Sequence, residues 1–463
     1  MRTAKGLQMT FIFRLLRIVG LAFLALIILY AIGRPTQVWL GSFYSGVREP
    51  YLQMPSSDAV TIKWQSEDET IGVVRYGLST DSLDNSMIES EASTIHEVRL
   101  TGLKSATRYF YSIGKEGAEI YKGTDFTFKT APKSTGSNSQ TSVRLWVTGD
   151  QGYPNPVQNQ VRDAALKWSQ QNPHPISKQT SFDFWLTTGD NAYTSGTNKQ
   201  FQAGFFEPYK LILRNTPVWP AYGNHDARRW AFFDIFSLPT QAESGGIPSG
   251  TENYYSFDYA NIHVVMLDSE DNNLDTDSEM MTWLKRDLAE TQKQWVIAVF
   301  HHPPYTKGSH NSDEKSDSGG RLISVRENIV PLLEAAGVDL VLSGHTHMYE
   351  RSELIACHYS FSNTFSEKNI RQQSNKSVYF KKDSQRGKNN GTIYSVVGSS
   401  SKVDMGPLDH PAMPFALKEA GSMIIDVTQN KLKARFINNE TKVRDQFEIV
   451  KGASHGVETQ LCQ

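Results

Sequence analysis

The sequence predicts an all-β sandwich followed by a layered α/β domain, and three observations carry that expectation. Residues 47–131 hold short alternating segments that recur roughly every ten residues between turn-forming clusters. From Ser142 to about residue 450, buried apolar runs alternate with amphipathic stretches, the pattern of strands covered by helices. Between the two, residues 132–141 (PKSTGSNSQT) are small and polar and offer nothing to bury, which is linker composition. A short tail, residues 451–463, closes the chain.

The sandwich strands read from the alternation are Ala59–Trp64, Gly72–Tyr76, His96–Leu100, Arg108–Ile113 and Phe126–Lys129. In the second domain the expected strands are Val143–Thr148, Phe182–Thr188, Val218–Tyr222, Ile262–Leu267, Trp295–Phe300 and Asp339–Leu342. Helical periodicity appears in Pro156–Gln170 and Ser278–Thr291. Residues 358–390 carry seven Lys or Arg among few apolar residues and read as a solvated loop, with a part in substrate access suggested by position alone.

A chain of 463 residues with 39% hydrophobic, 21% charged and 11% aromatic residues can bury full cores, so long disorder is excluded. The net charge is −2, and the four cations within residues 1–33 stand without an acid, so the rest is mildly acidic and does not attract nucleic acid by bulk charge. Cys357 and Cys462 are the only cysteines. Their spacing excludes a thiolate zinc site and leaves one optional disulfide.

Arg14 and Arg17 precede the uncharged run Ile18–Gly33, a basic flank followed by an apolar segment. As a helix its 16 residues reach roughly 24 Å, short of the ~30 Å hydrocarbon core unless the arginines snorkel. Residues 1–33 are therefore expected to be a signal peptide or a membrane anchor, and both alternatives stay open. In either case the rest of the chain is expected outside the cytoplasm, secreted or anchored.

Five expected strands end at a metal-capable side chain: Gly149-Asp150, Gly189-Asp190, Gly223-Asn224, Phe300-His301 and Gly344-His345. Loops at strand ends of layered α/β folds project into a common crevice, so these residues can converge. With Tyr193 and His347 they supply two carboxylates, a phenol, an amide oxygen and three imidazoles. That set suits one hard trivalent and one borderline divalent ion, and Asp190 is the candidate bridge. Singly, each piece is more often a turn or helix cap; five in order in one chain are not expected as unrelated turns.

These motifs resemble the metallophosphoesterases and, within them, the purple acid phosphatases. The matching runs are Gly149-Asp150-Gln151-Gly152, Gly189-Asp190-Asn191-Ala192-Tyr193, Gly223-Asn224-His225-Asp226, Ala298-Val299-Phe300-His301 and Gly344-His345-Thr346-His347. Only the valine of the fourth family motif differs, being Ala298 here. The run Val338–Ser352 extends the likeness, and Glu49–Gln53 is similar to the fibronectin type III-like domain of larger members. Gly152 and Tyr193 separate this group from other metallophosphoesterases, which carry a histidine and an aspartate there.

The resemblance implies Asp150, Tyr193 and His347 on Fe(III), Asn224, His301 and His345 on a divalent ion (Zn, Fe or Mn), and Asp190 on both. The phenolate favours the trivalent state. Pro303 selects His301 over His302 as the ligand. His225 and His310 are the expected catalytic residues, and with Asn224 they are expected to bind substrate. Glu350 and Arg351 read as a structural ion pair, and His96 and His263 as core histidines.

The expected function is an exported acid phosphatase that hydrolyses small phosphomonoesters by attack of a metal-bound hydroxide, with an acidic optimum. A phosphodiesterase or nucleotidase on the same metals is the first alternative. The second, of another class, is a surface binding or adhesion protein with an inert metal domain.

Overall fold

The computed structural model describes residues 16, 18–21, 23, 44, 46–133, 142–227, 231–374, 376–383, 386–459 and 462. Most of the expected signal or anchor segment, and the linker from residue 134 on, lie outside the described residues. Among the described residues no helix is long and apolar enough to cross a membrane.

The amino-terminal unit is the expected sandwich. A three-stranded antiparallel sheet (Arg48–Gln53, Val60–Thr70, Ser93–Leu100) faces a five-stranded one (Asn85–Ile88, Gly72–Gly77, Arg108–Lys115, Ala118–Tyr121, Thr127–Lys129). Alternation puts every second side chain inward, so Leu52, Ile62, Trp64, Val98 and Leu100 meet Val74, Tyr109, Tyr111, Ile113 and Phe128 in one core.

The second unit stacks two mixed seven-stranded sheets. In spatial order the first runs Val218–Pro220, Phe184–Thr187, Ser142–Thr148, Gly421–Thr428, Lys431–Asn438, Val443–Lys451 and Val378–Lys381. The second runs Tyr255–Tyr259, Ile262–Met266, Trp295–Val299, Leu340–Ser343, Ile393–Val397, Tyr349–Arg351 and Phe415–Leu417. Leu145, Val147, Leu186 and Ile424 of the first sheet pack with Ile297, Val299 and Leu342 of the second.

Helices cover the outer faces, as expected for strands buried on both sides. Pro156–Gln171 begins at Asn155, whose side-chain oxygen accepts from Gln158 N at 2.9 Å, and buries Val161, Ala165 and Trp168. Glu279–Glu290 begins at Ser278, which caps Met281 N, and buries Met281, Trp283 and Leu284.

Three parallel strands of the first sheet, and two of the four parallel strands of the second, carry the expected ligands beyond their carboxyl ends. Residues 358–390 do something other than expected. They form the strands Ile370–Gln372 and Val378–Lys381 instead of a wholly solvated loop. Lys381 is fully buried and, with Lys451, holds Asp339 at 2.9 and 2.7 Å. Asp339 precedes strand Leu340–Ser343, so this anchor sits at the opposite end of the strand from His345. The basic count had treated Lys381 as solvated, whereas a carboxylate takes it inside. Cys357 and Cys462 form a disulfide that ties the tail to the body across 105 residues.

The units are joined by polar contacts, the first two of them buried. Tyr51 Oη donates to Ile235 O at 2.6 Å, Lys63 Nζ donates to Ser237 Oγ at 2.7 Å, and Arg214 binds both Glu49 and Asp125.

Candidate metal centre

Each expected ligand sits two to six residues past a strand end, and local backbone turns it inward. Asp150, Asp190 and His345 all have left-handed backbone, with φ of 55°, 55° and 68°. A non-glycine residue is rare there and is held only where its surroundings demand it. Gly189 adopts φ 102°, and a Cβ on it would lie 2.5 Å from His301 Nδ1. Gly152 is required for another reason: a Cβ would meet the Asn191 backbone at 2.2 Å. The first two loops thus lie directly on one another, with Tyr193 N donating to Gly152 O at 3.2 Å.

The third loop is tied to the second by Asp226. Its carboxylate accepts from the backbone of Asn191, Ala192 and Gly223 and from the Asn191 side chain. Asn191 in turn accepts from Gln151 and Thr187 and donates to Ala221 O.

All seven expected ligands meet, in two groups around Asp190. In the first, Tyr193 Oη lies 3.0 Å from Asp150 Oδ1, 2.9 Å from Asp190 Oδ2 and 3.1 Å from His347 Nε2. In the second, His301 Nε2 lies 3.4 Å from Asp190 Oδ1 and 2.9 Å from Asn224 Oδ1, and His345 Nδ1 lies 3.0 Å from Asn224 Oδ1 and 3.2 Å from His301 Nε2. Asp190 therefore turns one oxygen to each group.

The proton inventory says what these groups suit. His301 Nδ1 faces the Thr188 carbonyl at 2.8 Å and must donate to it, which turns Nε2 inward as the nitrogen that would take either a proton or a cation. Ser318 Oγ has one proton, directed to the Asp317 carboxylate at 2.7 Å, so His345 Nε2 donates to Ser318 at 2.6 Å and its Nδ1 is bare. His347 Nδ1 meets the Asp404 carboxylate at 2.6 Å and donates, leaving Nε2 bare. Apart from the Tyr193 phenol proton and the proton that His301 Nε2 takes when no ion is bound, both of which a cation would displace, lone pairs face one another, an arrangement that a cation satisfies. Donors about 2.1 Å from an ion and roughly 90–110° apart are separated by about 3.0–3.4 Å, which the spacings match. The residues fit a pair of ions, one per group, and with neither group carrying a thiolate the set favours hard or borderline metals.

Electrostatics agree. Burial lowers the affinity of His301 for a proton, yet Asp190 and Asp150 outweigh it and raise its pKa to about 10, so this point collects positive charge. Burial likewise works against ionising Asp190, but His301 and the His225 amide hold it well below the usual carboxylate range. Burial and the two carboxylates push the Tyr193 phenol far up, so only a strong cation would take its proton. Burial and the neighbouring imidazoles keep His345 neutral.

His225 and His310 stand at the rim with side chains 34% and 33% exposed. His225 Nδ1 donates to Thr194 O at 2.8 Å, and its Nε2 lies 4.0 Å from Asp190 Oδ2. His310 stacks on His345 with ring centres 3.9 Å apart and is bound through Nδ1 to Asp317 at 2.7 Å. His302 turns away: it is buried, held by Ser269 Oγ at 2.9 Å and kept neutral by burial and by His301.

Glu350 and Arg351 are not an ion pair. They are neighbours on strand Tyr349–Arg351, so their side chains leave on opposite faces. Arg351 binds Asp445 at 2.5 and 3.1 Å, while Glu350 is bound to Thr306 Oγ1 and lifted to about 7 by burial. His96 is buried against Trp64 and bound to Glu89 at 2.6 Å. His263 is buried between Asp258 at 2.8 Å and Asp287 at 2.7 Å.

Asp404, Ser318 and Asp317 escape a sequence reading. Asp226 is visible as the last residue of the Gly223-Asn224-His225-Asp226 run, but its hold on the Asn191 loop is not. Asp404 lies seven residues past strand Ile393–Val397, a sixth strand end whose Gly-Ser-Ser-Ser run shows no ligand type.

Residues 143–349 match the family model of the calcineurin-like phosphoesterases, and residues 48–130 match that of the purple acid phosphatase N-terminal domain. Purple acid phosphatase 22 of Arabidopsis thaliana is 27% identical over 325 residues, which cover 66% of this chain and 67% of that one. Acid phosphatase type 7 of Danio rerio is 26% identical over 356 residues, 69% of this chain and 71% of that one. In fold the chain is similar to a purple acid phosphatase from yellow lupin (Lupinus luteus) seeds, with a TM-score of 0.66, 18% identity and coverage of 89% and 76%.

Proposed function

We propose that this chain, which belongs to the purple acid phosphatases of the calcineurin-like phosphoesterase superfamily and hydrolyses phosphoric ester bonds, is an exported acid phosphatase acting on small phosphomonoesters. The observation that carries the reading is the division of donors around Asp190. Asp150, Tyr193 and His347 would hold Fe(III), Asn224, His301 and His345 a divalent ion, and Asp190 both. Bound there, the ions would supply water of lowered pKa and positive charge against the phosphoryl oxygens.

The protein's own contribution is orientation and proton handling. The carbonyl of Thr188, Ser318 and Asp404 each fix one imidazole so that its other nitrogen faces inward. The two rim histidines each have one nitrogen engaged, His225 on Thr194 O and His310 on Asp317. Their remaining Nε2 atoms are left to hold a phosphoryl oxygen or to protonate the departing alkoxide. The ester bond that breaks is P–O: the alkoxide leaves as an alcohol with the proton it receives, and water supplies the replacing oxygen. Export is supported by the basic-then-apolar amino terminus and by the Cys357–Cys462 disulfide, which suits an oxidising compartment.

The test is hydrolysis of an aryl phosphomonoester and the matching diester from pH 4 to 9, by the wild type and by Asp190→Asn. Faster monoester turnover with an acid optimum, reduced about a thousandfold or more in the variant, supports the reading. Diester preference, or a rate that climbs steadily above neutrality, overturns it.

A further inference from the structure

The two donor groups differ in what stands behind them. On the His301 and His345 side the direct partners are neutral, a carbonyl and a hydroxyl, and the Asp317 carboxylate stands one hydroxyl further back. The Tyr193 side is backed by a carboxylate, because Asp404 accepts from His347 Nδ1 at 2.6 Å. That carboxylate is shared. Lys402 Nζ lies 2.9 Å from the same Asp404 Oδ2 and is about half exposed.

The segment that carries them is laced to this half of the site. Ser400 N donates to Gly149 O at 3.2 Å, Ser401 Oγ donates to Asp150 O, Asn155 Nδ2 donates to Ser401 O at 2.8 Å, and Asp404 N donates to His347 O at 3.3 Å. A Cβ on Gly406 would strike Gly308 O at 2.0 Å, so the far side of the segment is also seated. The carboxylate is therefore placed by the backbone of the ligand loops themselves.

We infer that Asp404 and Lys402 form a charge pair that sets the redox potential of the ion held by Asp150, Tyr193 and His347. Asp404 is a positioning residue acting through His347: accepting its Nδ1 proton makes Nε2 a more electron-rich donor and adds negative charge beside a trivalent ion, which stabilises the oxidised state. Lys402 offsets part of that charge. This inference rests on the iron assignment made above.

The experiment is a redox titration of the iron-loaded full chain, followed through the visible tyrosinate-to-iron absorption, for wild type, Asp404→Asn, Asp404→Glu and Lys402→Ala. Asp404→Asn is expected to move the potential positive and to loosen iron against a chelator by about 10–100-fold. Asp404→Glu should restore much of both, and Lys402→Ala should move the potential negative. Opposite signs at two residues on one loop are not produced by general loosening, and Lys402→Ala, at an exposed position, remains readable if Asp404→Asn folds poorly. Potentials equal to wild type in Asp404→Asn, or unmoved in Lys402→Ala, overturn the inference while leaving the iron assignment intact. A wild type that binds iron without visible absorption overturns the iron assignment and this inference with it.

Discussion

Tyr193 Oη touches both carboxylates and one imidazole of its group, and its ring packs between Tyr153 and His225 with centres 5.7 and 4.4 Å away. Tyr193→Phe keeps that packing and removes only the oxygen. Iron-loaded Tyr193→Phe is therefore expected to lose the visible absorption with unchanged far-ultraviolet circular dichroism, and retained colour would contradict a phenolate ligand. Residue by residue, the convergence of the seven candidate donors was legible because each stands directly after a strand-ending motif or within a few residues of one. The partners that orient them were not. Asp404, Ser318 and Asp317 come from loops whose contact with the ligands is set by the tertiary fold, and no spacing in the chain announces it. Glu350 and Arg351 show the converse error: adjacency in sequence suggested a pair, and strand geometry separates them.

Among the elements, strand Ile262–Met266 carries His263, fully buried, between Asp258 and Asp287. Burial disfavours the imidazolium, but the two carboxylates overcome it and raise the pKa from the ordinary 6.5 to about 9. A raised folded-state value means that the stabilisation is full below about pH 6.5 and is lost as pH rises through about 9. The contribution is on the order of 3 kcal/mol. Urea unfolding at pH 6 and pH 9.5 should show that loss in the wild type and little of it in His263→Gln; an equal pH dependence in both contradicts the assignment. Strand Ile393–Val397 marks the limit of legibility at this scale. The six strands read from apolar runs in the second domain are all present, to within a few residues at each end. The later ones, Ile393–Val397, Gly421–Thr428, Lys431–Asn438 and Val443–Lys451, were not read, because some carry lysines and arginines along their outer faces and none ends in a ligand motif.

For the whole molecule, the order sandwich, then layered α/β domain, was legible from the change in periodicity near Ser142. The docking of one unit on the other was not, since it depends on single polar contacts such as Lys63 to Ser237 and Tyr51 to Ile235 O. Stacking two mixed sheets brings the carboxyl ends of their parallel strands to one edge, so that three loops from one sheet and two from the other can share Asp190. The most direct measurement is the metal content of the purified chain, wild type against Asp190→Asn, by elemental analysis after exposure to iron and a divalent metal. Two ions per wild-type chain, falling below two in the variant along with activity, is the expected result. A single ion in the wild type, or two ions retained in an active Asp190→Asn, would contradict a centre built around that shared carboxylate.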